Sequence, residues 1–469
     1  MSDTNFDLVI IGGGPAGYAA ALYAGSAGLS VAMIERDKVG GTCLHRGCIP
    51  AKELLETATL LRDITRARDF GVVTEPARLE LPTAHRRKHA VIDQLTAGVQ
   101  TLLKRRKVQT LAGTGRLAAD GSVTVELNEG GQTAVTGDCT LLAAGSVPRT
   151  LPGFEVDGKL VMTSDELLEL PEVPATAAVI GGGAIGCEFA SMLRDFGTQV
   201  TILEALDRIV PGVDLDISKA LARAFEKQGM TVRTGVEVQG HTPRGDGSGT
   251  TVNVGNGEAV DVDVVVMSIG RRPFADHLGL DALGVETDER GFVKVDEYCR
   301  TNVDGVYALG DLVATPALAH VGFAEAIMVV QDVLGEAPVP IDYDRVPWAI
   351  YCHPEVAFAG LTEEQARDAG YEVVVSKHRY VGNSRAVIIG DTEGMVKIVA
   401  ERQPDGRAGR LLGVHMMGPW ATEQLGQGYL AVNWEANVDE VAAFIQPHPT
   451  LSELFGESVL ALTGRSLHA

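Results

Sequence analysis

One pattern occurs twice in this chain, 169 residues apart, and it constrains the fold more than any other feature. The first copy runs Leu8-Val9-Ile10-Ile11, Gly12-Gly13-Gly14-Pro15-Ala16-Gly17, an alanine-rich stretch, then Ser30-Val31-Ala32-Met33-Ile34-Glu35. The second runs Ala178-Val179-Ile180, Gly181-Gly182-Gly183-Ala184-Ile185-Gly186, a helical stretch, then Gln199-Val200-Thr201-Ile202-Leu203-Glu204. The offset is the same for the first glycine and for the closing glutamate. A lone GxGxxG occurs in ordinary loops, but a strand before it, a helix after it and an acid at the next strand end make a βαβ dinucleotide cradle. Gly12 and Gly181 permit the tight turn, Gly14 and Gly183 let backbone approach a pyrophosphate, and Gly17 and Gly186 let helix pack on strand. The helix N-terminus then faces the phosphates. Glu35 and Glu204 are placed to accept hydrogen bonds from a ribose. Two copies imply two dinucleotides. At the second site a carboxylate repels a 2′-phosphate, which favours NAD over NADP. Arg208, four residues on, reads as a surface residue.

Just beyond the first copy stand Cys43 and Cys48, in Gly40-Gly41-Thr42-Cys43-Leu44-His45-Arg46-Gly47-Cys48-Ile49-Pro50. Pro50 marks the first turn of a helix, so Cys48 falls near a helix N-terminus. There the macrodipole and free N–H groups favour a thiolate over a thiol that otherwise titrates near ~8.5. A reactive dithiol that exchanges electrons with a bound dinucleotide is the functional reading. Structural alternatives are a disulfide staple or half a zinc site, but zinc needs two further close ligands and only His45 is near. No metal site is expected. The chain has six cysteines in 469 residues, too few for a disulfide scaffold, which points to a reducing compartment. Cys139, Cys187, Cys299 and Cys352 are scattered singly and read as inert thiols.

A chain of this length exceeds one hydrophobic core. With 45% hydrophobic and 5% aromatic residues it suits a soluble α/β protein. A net charge of −22 disfavours nucleic acid; the basic runs Arg86-Arg87-Lys88 and Lys104-Arg105-Arg106-Lys107 read as the solvated face of a helix over 83–107. Met1–Asp7 shows no basic or apolar leader and leads straight into a strand. No segment reaches the ~18 apolar residues of a membrane span, so a cytoplasmic location is expected. Between the repeats, Leu141–Arg149 reads as a buried strand ending in a glycine turn at Gly145, and Val264–Pro273 echoes it around Gly270. Val306-Tyr307-Ala308-Leu309-Gly310-Asp311 puts a carboxylate at a strand's C-terminal end, where such sheets bind ligands. From about 345 the fingerprints stop, and strands at Ala349–Cys352, Val373–His378, Met395–Ala400 and Leu411–Met416 mix with helices.

These motifs carry a resemblance. GGTCLHRGCIPAK at Gly40–Lys52, the two fingerprints, LAAGSVPR at Leu142–Arg149, ALGD at Ala308–Asp311, LAH at Leu318–His320 and HPTLSE at His448–Glu453 make the chain similar to the pyridine nucleotide–disulfide oxidoreductases over essentially its full length. The resemblance implies an α/β protein with two Rossmann-like dinucleotide-binding domains, for FAD (1–150 and 276–344) and NAD (151–275), and a C-terminal α+β dimerisation domain (345–469). It implies that FAD meets Gly12, Gly14, Gly17, Glu35, Thr42, Lys52, Gly115, Gly145, Asp311 and Ala319. NAD would meet Gly181, Gly183, Gly186, Glu204, Val236 and Gly270. Cys43 and Cys48 are the implied redox disulfide, His448 the base and Glu453 its orienter, with Lys52 and Glu188 as an ion pair beside the flavin. Sequence alone reads His448, between two prolines, as a loop histidine.

The activity so implied is oxidation of dihydrolipoamide to lipoamide with NAD. The expected partners are a second copy of the chain, each active site being shared, and lipoyl domains of 2-oxo acid dehydrogenase or glycine cleavage complexes. Glu204 argues against the NADPH-dependent reductases of the family, and the absence of cysteine after Cys352 argues against mercuric reductases. The alternatives are a related NAD(P)H-dependent flavin reductase of another small disulfide, and a non-catalytic component of a multienzyme complex, which retention of Cys43, Cys48 and His448 opposes. Two departures stand out. His45-Arg46 replaces the usual Asn-Val between the cysteines, and Ala184 stands where several relatives carry an aromatic residue.

Overall fold

The strand Asn5–Ile11 is apolar on both faces because it runs in the middle of a parallel sheet, the pattern such strands need. A computed structural model describes residues 4–468; the expectation that no leader precedes the first strand falls partly on Met1–Asp3, outside the described residues. Asn5–Ile11 pairs in parallel with Val31–Glu35, Leu8 opposite Val31, and with Gln132–Leu142, Ile10 opposite Leu141. Gln109–Leu117 extends the sheet beyond Val31–Glu35, and Val306–Ala308 extends it beyond Gln132–Leu142. Val123–Leu127 bridges the outer ends of Gln109–Leu117 and Gln132–Leu142 in antiparallel register. Helix Pro15–Ser26 lies against helix Ala319–Val333 through its alanines; Ala16, Ala20, Ala21 and Ala24 are all buried.

The second repeat builds its own parallel sheet. Its order is Thr231–Arg233, Gln199–Leu203, Thr176–Ile180, Val264–Met267, Val161–Met162. A three-stranded antiparallel sheet, Val238–Pro243, Thr250–Val254 and Glu258–Val262, follows. The C-terminal part is a five-stranded antiparallel sheet in the order Trp348–Ile350, Glu355–Gly360, Ala408–Gly418, Met395–Arg402, Val373–Arg379. Helices Ala421–Asn433 and Glu453–Ala461 pack on this sheet.

The chain divides into two compact units. One takes in the chain up to Leu54, with Glu80–Arg149 and Gly270–Tyr343; the other takes in Leu55–Leu79, Thr150–Ile269 and the chain from Asp344 on. Residues 55–79 thus group with the second unit, not with the segment 1–150 that precedes and follows them. The reason is local. Helix Cys48–Arg66 continues without a break, and its later turns bond within the second unit, Arg62 to Asp195 at 2.5 Å and Arg66 to the Gly390 carbonyl. Among the described residues no helix is long and apolar enough to cross a membrane.

Candidate active site

The two fingerprints fold alike at their first and last glycines. Gly12 has φ +111°, and a Cβ there would lie 2.3 Å from the Ala143 carbonyl oxygen; Gly181 has φ +101°, and its Cβ would lie 2.4 Å from the Ser268 oxygen. A Cβ at Gly17 would lie 1.8 Å from the Gly12 oxygen, and one at Gly186 1.9 Å from the Gly181 oxygen. Only glycine fits these four places. Glu35 accepts the Gly13 N–H at 2.7 Å with one oxygen and the Asp37 N–H at 2.8 Å with the other. Glu204 does the same with Gly182 at 2.6 Å and Leu206 at 2.8 Å. Each carboxylate is therefore fixed at its strand end with lone pairs left for a ribose.

The first turns of helices Pro15–Ser26 and Ala184–Asp195 have no side-chain cap among the described residues, and a Cβ at Gly183 would meet nothing within 4 Å. Unbonded N–H groups at two helix starts, in front of open backbone, suit a pyrophosphate. Arg208 donates to the Pro211 carbonyl at 3.3 Å and pairs with Glu364 at 3.4 Å, so it is engaged elsewhere. Val236 donates its N–H to the Glu204 carbonyl at 3.0 Å, behind the cradle.

In the first unit the cysteines sit hard against the first cradle. The Gly40 N–H donates to the Gly13 carbonyl at 2.8 Å, and a Cβ at Gly41 would lie 2.6 Å from the Gly14 Cα. Thr42 and Cys43 belong to the short helix Gly41–Arg46, and Cys48 is the first residue of helix Cys48–Arg66, with Gly47 as the break. Both cysteines are free thiols, and Cys43 is hydrogen-bonded to Cys48. That bond, burial and the neighbouring Cys48 charge push the Cys43 thiol well up, against the pull of Lys52 one turn along. The proton of the pair is thereby held on Cys43. His45 bonds the Val39 carbonyl at 2.9 Å and Arg46 pairs with Asp37 at 3.0 Å, so both unusual loop residues have partners of their own.

The turns after Gln132–Leu142 and Val306–Ala308, neighbouring parallel strands of the first unit, meet through side chains. Asp311 follows Gly310, φ +67°, and accepts the Ser146 hydroxyl at 2.5 Å; Arg271 donates to Ser146 Oγ at 2.7 Å and lies 3.9 Å from Asp311. Gly145 leaves open space, whereas a Cβ at Gly115 would press on Ile11 and Ile34 at 3.3 Å; Gly115 is needed for strand packing. Ala319 opens helix Ala319–Val333. Gly270 has φ +100° and its carbonyl accepts the Arg149 N–H, where the strands Ser146–Pro148 and Arg271–Pro273 pair.

Sequence reasoning missed four side chains here. Buried Glu325 accepts the Gly310 N–H at 2.7 Å, the Thr315 hydroxyl at 2.7 Å and the Tyr343 hydroxyl at 3.0 Å, fixing the turn that carries Asp311. Its signal was a single carboxylate inside the apolar run 321–330. Ser146 and Arg271 lay inside quoted motifs but had no assigned role. Tyr18, whose phenol is pushed up to about 12 by burial and then by the two cysteines, packs on Phe323 at 5.8 Å between ring centres.

In the second unit His448 Nδ1 bonds Glu453 Oε1 at 2.9 Å, while Glu453 Oε2 accepts the Thr450 N–H at 2.7 Å. Asn383 donates to the Thr450 carbonyl at 2.9 Å, so the loop is anchored and Nε2 of the exposed imidazole is left to take a proton. Glu188, buried on helix Ala184–Asp195, accepts the Tyr351 N–H at 2.9 Å. The other four cysteines are free; Cys187 and Cys352 are fully enclosed, and burial pushes both thiols well up.

Comparison with known proteins agrees in extent with this layout. The family described as pyridine nucleotide-disulphide oxidoreductase matches residues 6–326, and its dimerisation domain matches 346–459. The chain is 40% identical to a dihydrolipoyl dehydrogenase of Bacillus subtilis, covering 99% of both chains. It is 38% identical to the mitochondrial dihydrolipoyl dehydrogenase of Pisum sativum, covering 100% of this chain and 93% of the other. Among solved structures, LpdA from Mycobacterium tuberculosis superposes with a TM-score of 0.91 at 27% identity, covering 98% of this chain and 99% of the other.

Proposed function

The chain belongs to the pyridine nucleotide–disulphide oxidoreductase family, and within it we propose a dihydrolipoyl dehydrogenase that oxidises dihydrolipoamide to lipoamide with NAD as acceptor. The observation that supports this most is the dithiol seated against the first nucleotide cradle, Cys48 at a helix start and Cys43 hydrogen-bonded to it, in a chain about as long as the dihydrolipoyl dehydrogenases it resembles. FAD on the first cradle and NAD on the second supply, when bound, the carriage of the electron pair away from the dithiol, ending as NADH.

The chain's own residues do the sulfur chemistry. His448, held through Nδ1 by Glu453, takes the proton of one substrate thiol at Nε2. In the oxidised form of the pair, in which Cys43 and Cys48 are joined as a disulfide, the resulting thiolate attacks Cys43, forming a mixed disulfide and breaking the Cys43–Cys48 bond, and Cys48 leaves as the thiolate that a helix start favours. The second substrate sulfur then displaces Cys43, its proton passing to the departing Cys43 sulfur, and the lipoamide disulfide forms. Two electrons have passed from substrate to the cysteine pair.

The roles given to Thr42, Lys52, Gly115, Gly145, Glu188, Val236, Gly270 and Ala319 rest on the resemblance, as does the division into an FAD domain (1–150 and 276–344), an NAD domain (151–275) and a dimerisation domain (345–469). In this reading the protein is a cytoplasmic homodimer in which His448 of one copy serves Cys43 of the other, and its partners are lipoyl domains. The test is a steady-state assay of purified protein with dihydrolipoamide. NADH should form with saturation in both substrates, and NADP should be at least about tenfold poorer, as one misplaced charge at the ribose demands. No NADH, or a preference for NADP, overturns the reading.

A further inference from the structure

We propose that Lys397, on the C-terminal sheet, is a positioning residue for the second nucleotide cradle, acting through Asp214 and the segment Ile209–Asp214, of which Ile209, Val210, Val213 and Asp214 are buried. This rests on the reading that Gly181–Gly186 holds NAD.

The segment begins with an anomaly. Val210 is β-branched yet has φ +42°, a left-handed backbone that such residues almost never adopt. Its N–H donates to the Gly182 carbonyl at 2.7 Å, on the middle glycine whose own N–H is held by Glu204. The first cradle makes the same bond from Gly40 to Gly13 at 2.8 Å, with φ +107° at Gly40. Both cradles thus clamp the middle carbonyl of the glycine loop with a left-handed residue. Glycine does this without strain, whereas Val210 must be held in place by what surrounds it.

What surrounds it is a ladder leading to Lys397. The Val213 N–H donates to the Val210 carbonyl at 2.9 Å, and the buried Ser218 hydroxyl donates to the Ile209 carbonyl at 2.7 Å. Asp214, one residue on, is 1% exposed. Its Oδ1 accepts the Asp216 N–H at 3.0 Å, capping helix Leu215–Lys227, and the Lys397 ammonium at 2.9 Å; its Oδ2 accepts the Glu363 N–H at 3.2 Å. The Lys397 side chain, 2% exposed, also meets Asp216 at 2.7 Å and Glu363 at 2.8 Å. Lys377 reaches Asp216 at 2.6 Å and Arg367 reaches Glu363 at 2.8 Å. His415 is buried nearby, its Nε2 on the Leu361 carbonyl at 3.0 Å. A buried charge cluster is a poor source of stability in itself, because apolar packing serves as well, but removing its one enclosed cation strands Asp214. Without Lys397 the segment relaxes, Val210 leaves its left-handed conformation, and the glycine loop loses its clamp. The first cradle has no such dependence.

The experiment measures the NADH dependence of ferricyanide reduction by full-length Lys397→Gln, with flavin content and the dihydrolipoamide KM as internal references. We expect the NADH KM to rise about tenfold with kcat within about twofold, the pattern of lost uniform binding, while flavin content and dihydrolipoamide KM hold. Adding Val210→Gly should bring the KM back toward wild type, because glycine holds the turn unaided. If Lys397→Gln does not fold, Glu363→Gln, at the cluster's more exposed edge, should raise the NADH KM about threefold, with the same rescue. An NADH KM within twofold of wild type in the folded variant, or a rise that Val210→Gly leaves untouched, overturns the proposal. A wild-type protein with no saturable response to NADH overturns the NAD reading as well.

Discussion

The duplicated cradle makes an opposed pair of predictions for one methyl group. In Gly186→Ala the new Cβ would lie 1.9 Å from the Gly181 carbonyl oxygen, more than ~1 Å inside an ordinary approach of ~3.5 Å. That oxygen is backbone, in the turn that places the pyrophosphate, so helix Ala184–Asp195 must back away from its strand. A misplacement of ~1 Å in a binding frame costs up to ~10²-fold, and the overpacking costs about 1–3 kcal/mol of stability. Gly186→Ala should therefore stay yellow, with its NADH KM raised by ~10–10². Gly17→Ala, whose Cβ would lie 1.8 Å from the Gly12 oxygen, should instead purify with little flavin. The assays are flavin absorbance per chain and the NADH dependence of dye reduction, with circular dichroism to show that both variants fold. If Gly186→Ala loses flavin while Gly17→Ala keeps it, the two nucleotides have been assigned to the wrong cradles; if neither changes, the close-packing argument fails.

Cys43→Ser should show a long-wavelength thiolate-to-flavin absorption band without reductant, because Cys48 then has no disulfide partner; a variant without the band contradicts the roles of the two sulfurs. His448→Gln should lower dihydrolipoamide turnover by ~10²–10⁴ while NADH-driven dye reduction persists, and an equal loss of both activities would speak against a base that acts on substrate thiols. His353 is half-buried, and burial followed by the nearby Arg62 and Arg66 lowers its pKa to about 3. The unfolded chain therefore binds a proton below ~6.5 that the folded chain refuses, so stability present above that pH declines on acidification towards 3, at about 1.4 kcal/mol per pH unit from this group. Thermal midpoints between pH 7 and 5 should fall less in His353→Phe than in wild type, and parallel curves would refute the assignment.

The cradles were legible because their requirements are steric. Gly12, Gly17, Gly181 and Gly186 occupy places that no side chain fits, and Glu35 and Glu204 close a fixed spacing, so the sequence had no freedom to disguise them. The Cys48 helix start was legible through Pro50, although the helix begins two residues before that proline. His448 and Glu453 needed the resemblance, since two prolines and a five-residue gap do not by themselves turn a histidine towards a carboxylate. Val210 was invisible, because its left-handed backbone goes with a hydrogen bond to the Gly182 carbonyl, which nothing in the sequence around Val210 announces. Glu325 went unassigned because a single carboxylate in an apolar helix does not say which groups, here those of Gly310, Thr315 and Tyr343, will bond it. The switch of residues 55–79 to the second unit left no compositional mark, since helix Cys48–Arg66 runs straight through the boundary.

The central claim is that electrons leave dihydrolipoamide through the Cys43–Cys48 pair before they reach NAD. The most direct measurement mixes purified protein anaerobically with limiting dihydrolipoamide and excess NAD and counts NADH, in wild type and in Cys48→Ser. Wild type should give one NADH for each dihydrolipoamide, and Cys48→Ser none, while the variant retains flavin and still reduces dye with NADH. NADH formation by Cys48→Ser at the wild-type rate would contradict the account.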